Sequence, residues 1–395
     1  MPVTVLWFSL EKNGAVSVIG MTGGVVAGII QPFIGMISDR TRSAYGKRLP
    51  YMVLGTIGLI PFTMLIGVAQ SILALAAVWA IMQLFGTIAQ GPANALILDH
   101  ISSNRRGIAS GALILARALG GGIVSAVVLA FMAGYNNGMN PIWLWASLGF
   151  VTGVIIATSS WTLYVLRPRR DFTDTNALDE RRIRSSKSET AKSDRTLSQR
   201  GYPVFLFALA LVIAGMSALP MYAFFYMDDM VGSSNPAQAL LLIVSILAPV
   251  VAITVIPAGR LSDRVGRSLV LTIAGFLGSI GVLLLAFVPV FPVVLMATVP
   301  IAISVGIFFT VMWAIANDMV AQTSAGRDLG LTGISFLFGA IIARSFGFAI
   351  DIMNDRQENL GYQAMLVFIA ITFILVPFVM SRFQKTTTHG SGITG

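Results

Sequence analysis

Apolar residues in this chain run in blocks of about twenty, separated by short polar punctuation. As a helix rising about 1.5 Å per residue, a block of that length crosses roughly 30 Å of hydrocarbon. The blocks fall near 15–37, 50–69, 72–98, 107–133, 141–166, 202–227, 236–258, 268–288, 291–317, 329–350 and 362–381, which predicts eleven spanning helices.

The punctuation itself repeats. Gly35-Met-Ile-Ser-Asp39-Arg40 follows one apolar block, and Gly259-Arg260-Leu-Ser-Asp263-Arg264 follows another about half the chain later. A charged loop repeated between paired hydrophobic spans points to a membrane protein built from two related halves. The opening stretch Met1–Leu10 is apolar but too short to span, and no basic residue precedes it as in a signal peptide. It reads either as a re-entrant or interfacial start or as the tail of a twelfth span, and matched halves favour the second.

Composition agrees with a lipid solvent: 56% hydrophobic residues, 11% charged and a mean hydropathy of +0.82, where a soluble domain carries about 25% charged residues. Cysteine is absent and only His100 and His389 are present, which excludes disulfides and leaves no metal or nucleophile–base cluster. An enzyme is therefore not expected, and without a Gly-Lys-Ser/Thr phosphate loop ATP is not the driver. The net charge of +9 lies mostly in short loops, so it speaks for the membrane and not for nucleic acid.

Those loops also fix an expected orientation. Arg40, Arg42, Lys47, Arg48, Arg105, Arg106, Arg260, Arg264, Arg267, Arg327, Arg382 and Lys385 share one side with ten Lys/Arg of the segment 167–201. The alternate loops hold only Lys12 and Arg356. The positive-inside rule places the first set, and the C-terminus, in the cytoplasm of a plasma-membrane protein. The segment 167–201 is rich in Arg, Ser, Asp and Thr and cannot bury a core. It divides the chain into an N-terminal bundle (1–166), a cytoplasmic linker (167–201), a C-terminal bundle (202–382) and a tail (383–395).

Two arginines interrupt apolar blocks. Arg117 lies in Gly111-Ala-Leu-Ile-Leu-Ala-Arg117 and Arg344 in Ala340-Ile-Ile-Ala-Arg344-Ser-Phe-Gly347, in matching helices of the two halves with Arg344 somewhat deeper. An arginine facing lipid near the midplane costs at least about 2.5–3.5 kcal/mol, so both are expected to face a cavity and a polar or anionic solute.

The run Gln31-Pro32-Phe33-Ile-Gly35-Met-Ile-Ser-Asp39-Arg40-Thr41-Arg42-Ser43-Ala-Tyr-Gly46-Lys47-Arg48-Leu-Pro50-Tyr51 resembles the helix 2–3 loop of the major facilitator superfamily. Its Ser-Asp-Arg-Thr-Arg-Ser…Gly-Lys-Arg-x-Pro form is similar to the glycoside–pentoside–hexuronide:cation symporters and their sucrose-transporter relatives. Ala95-Leu-Ile-Leu-Asp99-His-Ile-Ser-Ser-Asn-Arg105-Arg106-Gly107 resembles the same group's helix 4–5 junction. The resemblance implies an all-α polytopic fold of two pseudosymmetric bundles, with the eleven blocks standing for helices two to twelve. It implies alternating access about a midplane site.

In that frame Gly35, Asp39, Arg40, Asp99 and Arg106 are expected to form a cytoplasmic gate: Gly35 lets helices approach, and Arg40 reaches the carboxylate of Asp99. Asp263 with Arg264, and Asp318 with Arg327, repeat the arrangement. The fold's helices 1, 4, 7 and 10 line its pathway, which nominates Trp79, Gln83, Gln90, Asn94, Tyr222, Tyr226, Trp313 and Asn317 beside Arg117 and Arg344. The expected function is secondary transport of a small polar solute, a sugar or glycoside first, by a monomer in the bilayer. Export of a drug-like or metabolic compound, or a non-transporting sensor, are the alternatives. No cofactor is expected. Coupling to H+ or Na+ stays open, because no Asp or Glu falls inside a block: Asp228, Asp229 and Asp351 stand at outer ends.

Overall fold

The computed structural model describes residues 12–41, 43, 48–100, 106–135, 140–166, 195–319 and 325–389, with backbone alone at 32, 39, 94–100, 106–115, 118, 195–201, 317–319, 325–333 and 381–389. Among the described residues eleven long helices stand where the apolar blocks place them. They are α1 (Lys12–Arg40), α2 (Leu49–Leu65), α3 (Ile72–His100), α4 (Arg106–Tyr135), α5 (Ile142–Val165), α6 (Arg195–Asp229), α7 (Pro236–Val265), α8 (Arg267–Phe287), α9 (Phe291–Met319), α10 (Ala325–Asn354) and α11 (Leu360–His389). Among the described residues ten are long and apolar enough to cross a membrane, and in α4 the apolar stretch is Leu119–Tyr135. Helix α6 begins inside the stretch read as linker, and α11 runs into the stretch read as tail. Prolines such as Pro61, Pro92, Pro249 and Pro377 sit inside helices, as packed membrane helices tolerate.

The halves share one packing plan. In the front half α1 packs on α3, α3 on α2, α2 on α5 and α4 on α5. In the back half α7 packs on α9, α9 on α8, α8 on α11 and α10 on α11. Each front pair thus has its back counterpart, and the halves meet along two seams that exchange under the same correspondence, α1 with α10 and α4 with α7. Helix α6 packs on α10 and α11 in the back half; among the described residues no front helix stands beside α4 as α6 stands beside α10. The fully buried large side chains accordingly gather in the back half, among them Phe205, Leu271, Phe308, Tyr362 and Phe373.

The sequence repeat is also a repeat of bonds. Ser38 Oγ donates to Gly35 O at 3.0 Å and Ser262 Oγ to Gly259 O at 2.8 Å, and both serines are buried. The second copy ends at Gly266, whose φ of +94° lets the chain turn at once from α7 into α8. In the first copy Arg48 folds back, and its Nη1 donates to Ser38 Oγ at 2.7 Å from an almost fully buried position. Arg48 is thus not a border charge alone.

Candidate functional site

Helix α1 is the element on which the site is built, because it touches α3 of its own half and α10 of the other. Its apolar run is broken by Gly20, Gly23, Gly24 and Gly28, and side chains of both neighbours lean on that glycine face. From α3, Trp79 and Gln83 lie against Gly23; from α10, the Arg344 guanidinium lies against Gly20 and Gly24, and Leu337 against Gly28. Trp79, Gln83 and Arg344, three residues nominated from sequence, are thereby brought around one stretch of little more than a turn, Gly20–Gly24, where the halves meet. Trp79 Nε1 and Arg344 Nε are both buried and without a hydrogen-bond partner. A buried donor left unmade costs about 1–3 kcal/mol, so two flanking one helix is a chemical statement: this place wants acceptor oxygens.

Of the other nominated residues, Tyr222, Tyr226 and Trp313 are turned into packing. Tyr222 is fully buried: its hydroxyl donates to Arg344 O at 3.0 Å, accepts from Gly347 N at 2.9 Å and lies 3.1 Å from Ser17 Oγ. It fastens the backbone that carries Arg344 and does not line a cavity. Tyr226 is buried too, and its hydroxyl donates to Leu285 O at 2.7 Å, turned into the back-half core. Both residues were placed on the pathway by helix number alone, which does not say which face of α6 is which. Trp313 stacks edge-on against Phe336 and lines a wholly apolar pocket of about 20 Å³ with Met216 and Phe308. Arg117 and Gln90 are exposed on α4 and α3. The side chains of Asn94 and Asn317 lie outside the described residues.

The two ends of the α1–α10 seam differ. At the Lys12 end the backbones touch: a Cβ on Gly347 would fall 2.2 Å from Asn13 O and 2.0 Å from Ser17 Oγ. Polar groups crowd there. Asp351 accepts from Asn13 Nδ2 at 2.9 Å and from Gly14 N–H, Tyr362 Oη donates to Asp229 Oδ2 at 2.7 Å, and Lys12 pairs with Asp229 and with Asp228 at 3.4 Å. Asp351 is therefore buried although it stands near a helix end. It lies within α10 and is only 8% exposed.

At the Arg40 end, among the described residues nothing lies within 4 Å of the place where a Gly35 Cβ would be, so the close approach expected of Gly35 is not seen among them. The tight glycines of α1 are those nearer Lys12. Asp263, Arg264 and Arg40 are exposed, and among the described residues Asp263 and Arg264 make no ion pair. The side chains of Asp39, Asp99, Arg106, Asp318 and Arg327, also expected in a gate at this end, lie outside the described residues.

A family profile described as Major Facilitator Superfamily matches residues 2–344 and 231–392. The chain belongs to the Major Facilitator Superfamily. Within it, the chain is 24% identical over 386 residues to a glucuronide carrier protein homolog of Escherichia coli (strain K12), covering 90% of this chain and 80% of that one. Over 144 residues it is 29% identical to a sucrose transport protein of Arabidopsis thaliana, covering 32% and 27%. Over 124 residues it is 26% identical to a minor myo-inositol transporter of Bacillus subtilis (strain 168), covering 31% and 28%. Its fold matches a solved nucleoside transporter at a TM-score of 0.63 and 12% identity, covering 96% and 93% of the two chains. It also matches an inward-facing, occupied bacterial homolog of the human lysosomal transporter Spinster, at 0.62 and 12%, covering 95% and 96%. As a superfamily member the chain is a multi-pass membrane transporter of a small-molecule solute and not an enzyme.

Proposed function

We propose that this chain is a secondary transporter of a small, hydroxyl-rich solute of the sugar or glycoside type, held around Gly20–Gly24 of α1 and released by alternating access. The observation that carries the reading is the pair of buried, unanswered donors, Trp79 Nε1 and Arg344 Nε, on either side of α1, a helix at the seam between the halves. A solute oxygen answers each, and the indole face and the Gln83 amide add the stacking and hydrogen-bonding surfaces that a sugar ring needs. The names of the relatives, a glucuronide carrier homolog, a myo-inositol transporter and a sucrose transporter, support a solute of this kind.

The Arg40 end of the seam, the 167–201 linker and the C-terminus face the cytoplasm in this reading, from the asymmetry of Lys and Arg between alternate loops. The conformation is then the inward-facing one, shut at Lys12 and parted at Gly35. Solute and cation gradients, H+ or Na+, are the driving forces assigned here, and ionophores that collapse each gradient test them singly.

The test of the site is Trp79→Phe, which keeps an aromatic ring and deletes the N–H. Uptake of labelled monosaccharides, glycosides and hexuronates into vesicles identifies the solute. For that solute KM should then rise about tenfold, the 1.4 kcal/mol that sits inside the range for one hydrogen bond left unmade. An unchanged KM in inserted Trp79→Phe protein overturns the site.

A further inference from the structure

Helix α1 begins at Lys12, so the N–H groups of its first turn have no partner inside the helix. One of them is answered from the other half of the molecule. Asp351, near the end of α10, takes Gly14 N–H on Oδ2 and Asn13 Nδ2 on Oδ1. A carboxylate at a helix N-terminus satisfies orphan donors and meets the positive end of the helix dipole. Such a cap ordinarily comes from the residue just before the helix. Here it comes from 337 residues away and crosses a seam between halves.

We propose that Asp351 is the pin of a gate at the Lys12 end of the α1–α10 seam: the cross-seam cap holds this mouth shut, and the mouth opens when the first turn of α1 leaves the carboxylate. The proposal rests on the alternating-access reading above. Its own support is threefold. The bonded groups belong to opposite halves, so no parting of the halves at this end can leave them intact. Asp351 is held by neutral donors, so both it and the freed N–H groups are taken up by water when the mouth opens, and the break is reversible. Finally, the neighbouring ion pair is the weaker tie. The side chains of Lys12, Asp228 and Asp229 are 41%, 50% and 27% exposed, where solvent and salt screen them, while Asn13 and Asp351 are 2% and 8% exposed.

The pin is also joined to the site. One turn of α10 separates Asp351 from Gly347 and another leads to Arg344, and Tyr222 bonds to Gly347 N and Arg344 O together. A solute that displaces Arg344 therefore acts on the same stretch of α10 that carries the carboxylate, a contiguous element that links the two.

The chain has no cysteine, so single thiols report cleanly. Val16→Cys, one turn inside the cap, is labelled with a membrane-impermeant maleimide in right-side-out and inside-out vesicles without solute. Labelling should be slow with Asp351 in place and at least tenfold faster with Asp351→Ala, from the membrane face on which the Lys12 end lies. Asp351→Asn, which keeps one acceptor oxygen, should fall between. Equal rates in all three backgrounds overturn the pin. Should Asp351→Ala fail to insert, the double variant Asn13→Cys with Asp351→Cys decides: the disulfide formed with copper–phenanthroline should stop uptake and dithiothreitol should restore it. Uptake that continues with the bond formed overturns the proposal. Because labelling needs no solute, the pin can fail while the Trp79 site stands, and the reverse.

Discussion

Arg344 and Trp79 each hold an N–H in a place that water does not reach and no protein acceptor fills. For Arg344 the arrangement is costly in two ways, since the charge itself is also taken toward the middle of the membrane. A chain tolerates that where another molecule completes the bonding. Arg344→Lys keeps the charge but replaces a planar five-donor fork with a point charge. It should therefore raise KM for the solute by at least tenfold, measured by uptake in vesicles, while Arg344→Ala should abolish saturable uptake. Equal KM for Lys and Arg would mean that charge alone matters. Arg48 makes the opposite case. Its basic neighbours mark it as a border residue in the sequence, yet it is buried against Ser38. A hydrogen bond involving a charged group is worth about 1.5–3 kcal/mol. Arg48→Met should lower the thermal midpoint in detergent by several degrees, with solute affinity unchanged.

At the scale of the helix, the apolar blocks gave element number and order almost residue by residue, because lipid imposes one length on every span. Boundaries went astray mainly where polar residues continue a helix beyond the hydrocarbon, as in α6 from Arg195 and α11 to His389, while α2 ends early at Leu65. Facing was harder to read. Every block is apolar all round, so no amphipathic stripe tells which side of α6 carries a pathway, and Tyr222 and Tyr226 were placed on it although both are buried. Glycine spacing, which the sequence reading did not use, carries the facing of α1. Gly20, Gly24 and Gly28 recur every four residues on one face of α1, and that face meets α10. The same logic gives a prediction for Gly347. Alanine there gains about 1 kcal/mol of helix propensity, but its Cβ meets a backbone oxygen, Asn13 O, that cannot swing aside. Overpacking of about 1–3 kcal/mol outweighs the gain. Gly347→Ala should therefore part the Lys12 end and speed maleimide labelling of Val16→Cys, as loss of the Asp351 cap does.

For the whole molecule, the repeat Gly-x-x-Ser-Asp-Arg announced two related halves, and the packing plan repeats helix for helix. What the sequence could not announce is which end of the seam is shut. That depends on Lys12, Asn13, Asp229, Asp351 and Tyr362 meeting from four helices, and no spacing in one chain pairs residues so far apart. On the reading proposed above, with the Lys12 mouth closed by such a cluster and the Arg40 mouth parted, the state of the transporter follows once the sides of the membrane are known. The 22 basic residues on one set of loops against two on the other assign those sides. Two described, exposed positions put the assignment at risk: Val265, beside Arg264 at the end of α7, and Glu358, between α10 and α11. Glu358→Cys in intact cells should react fully with an impermeant maleimide, and Val265→Cys only after the membrane is permeabilised. The reverse pattern would turn the molecule over, place the Lys12 cluster on the cytoplasmic side, and make the conformation described here the outward-facing one.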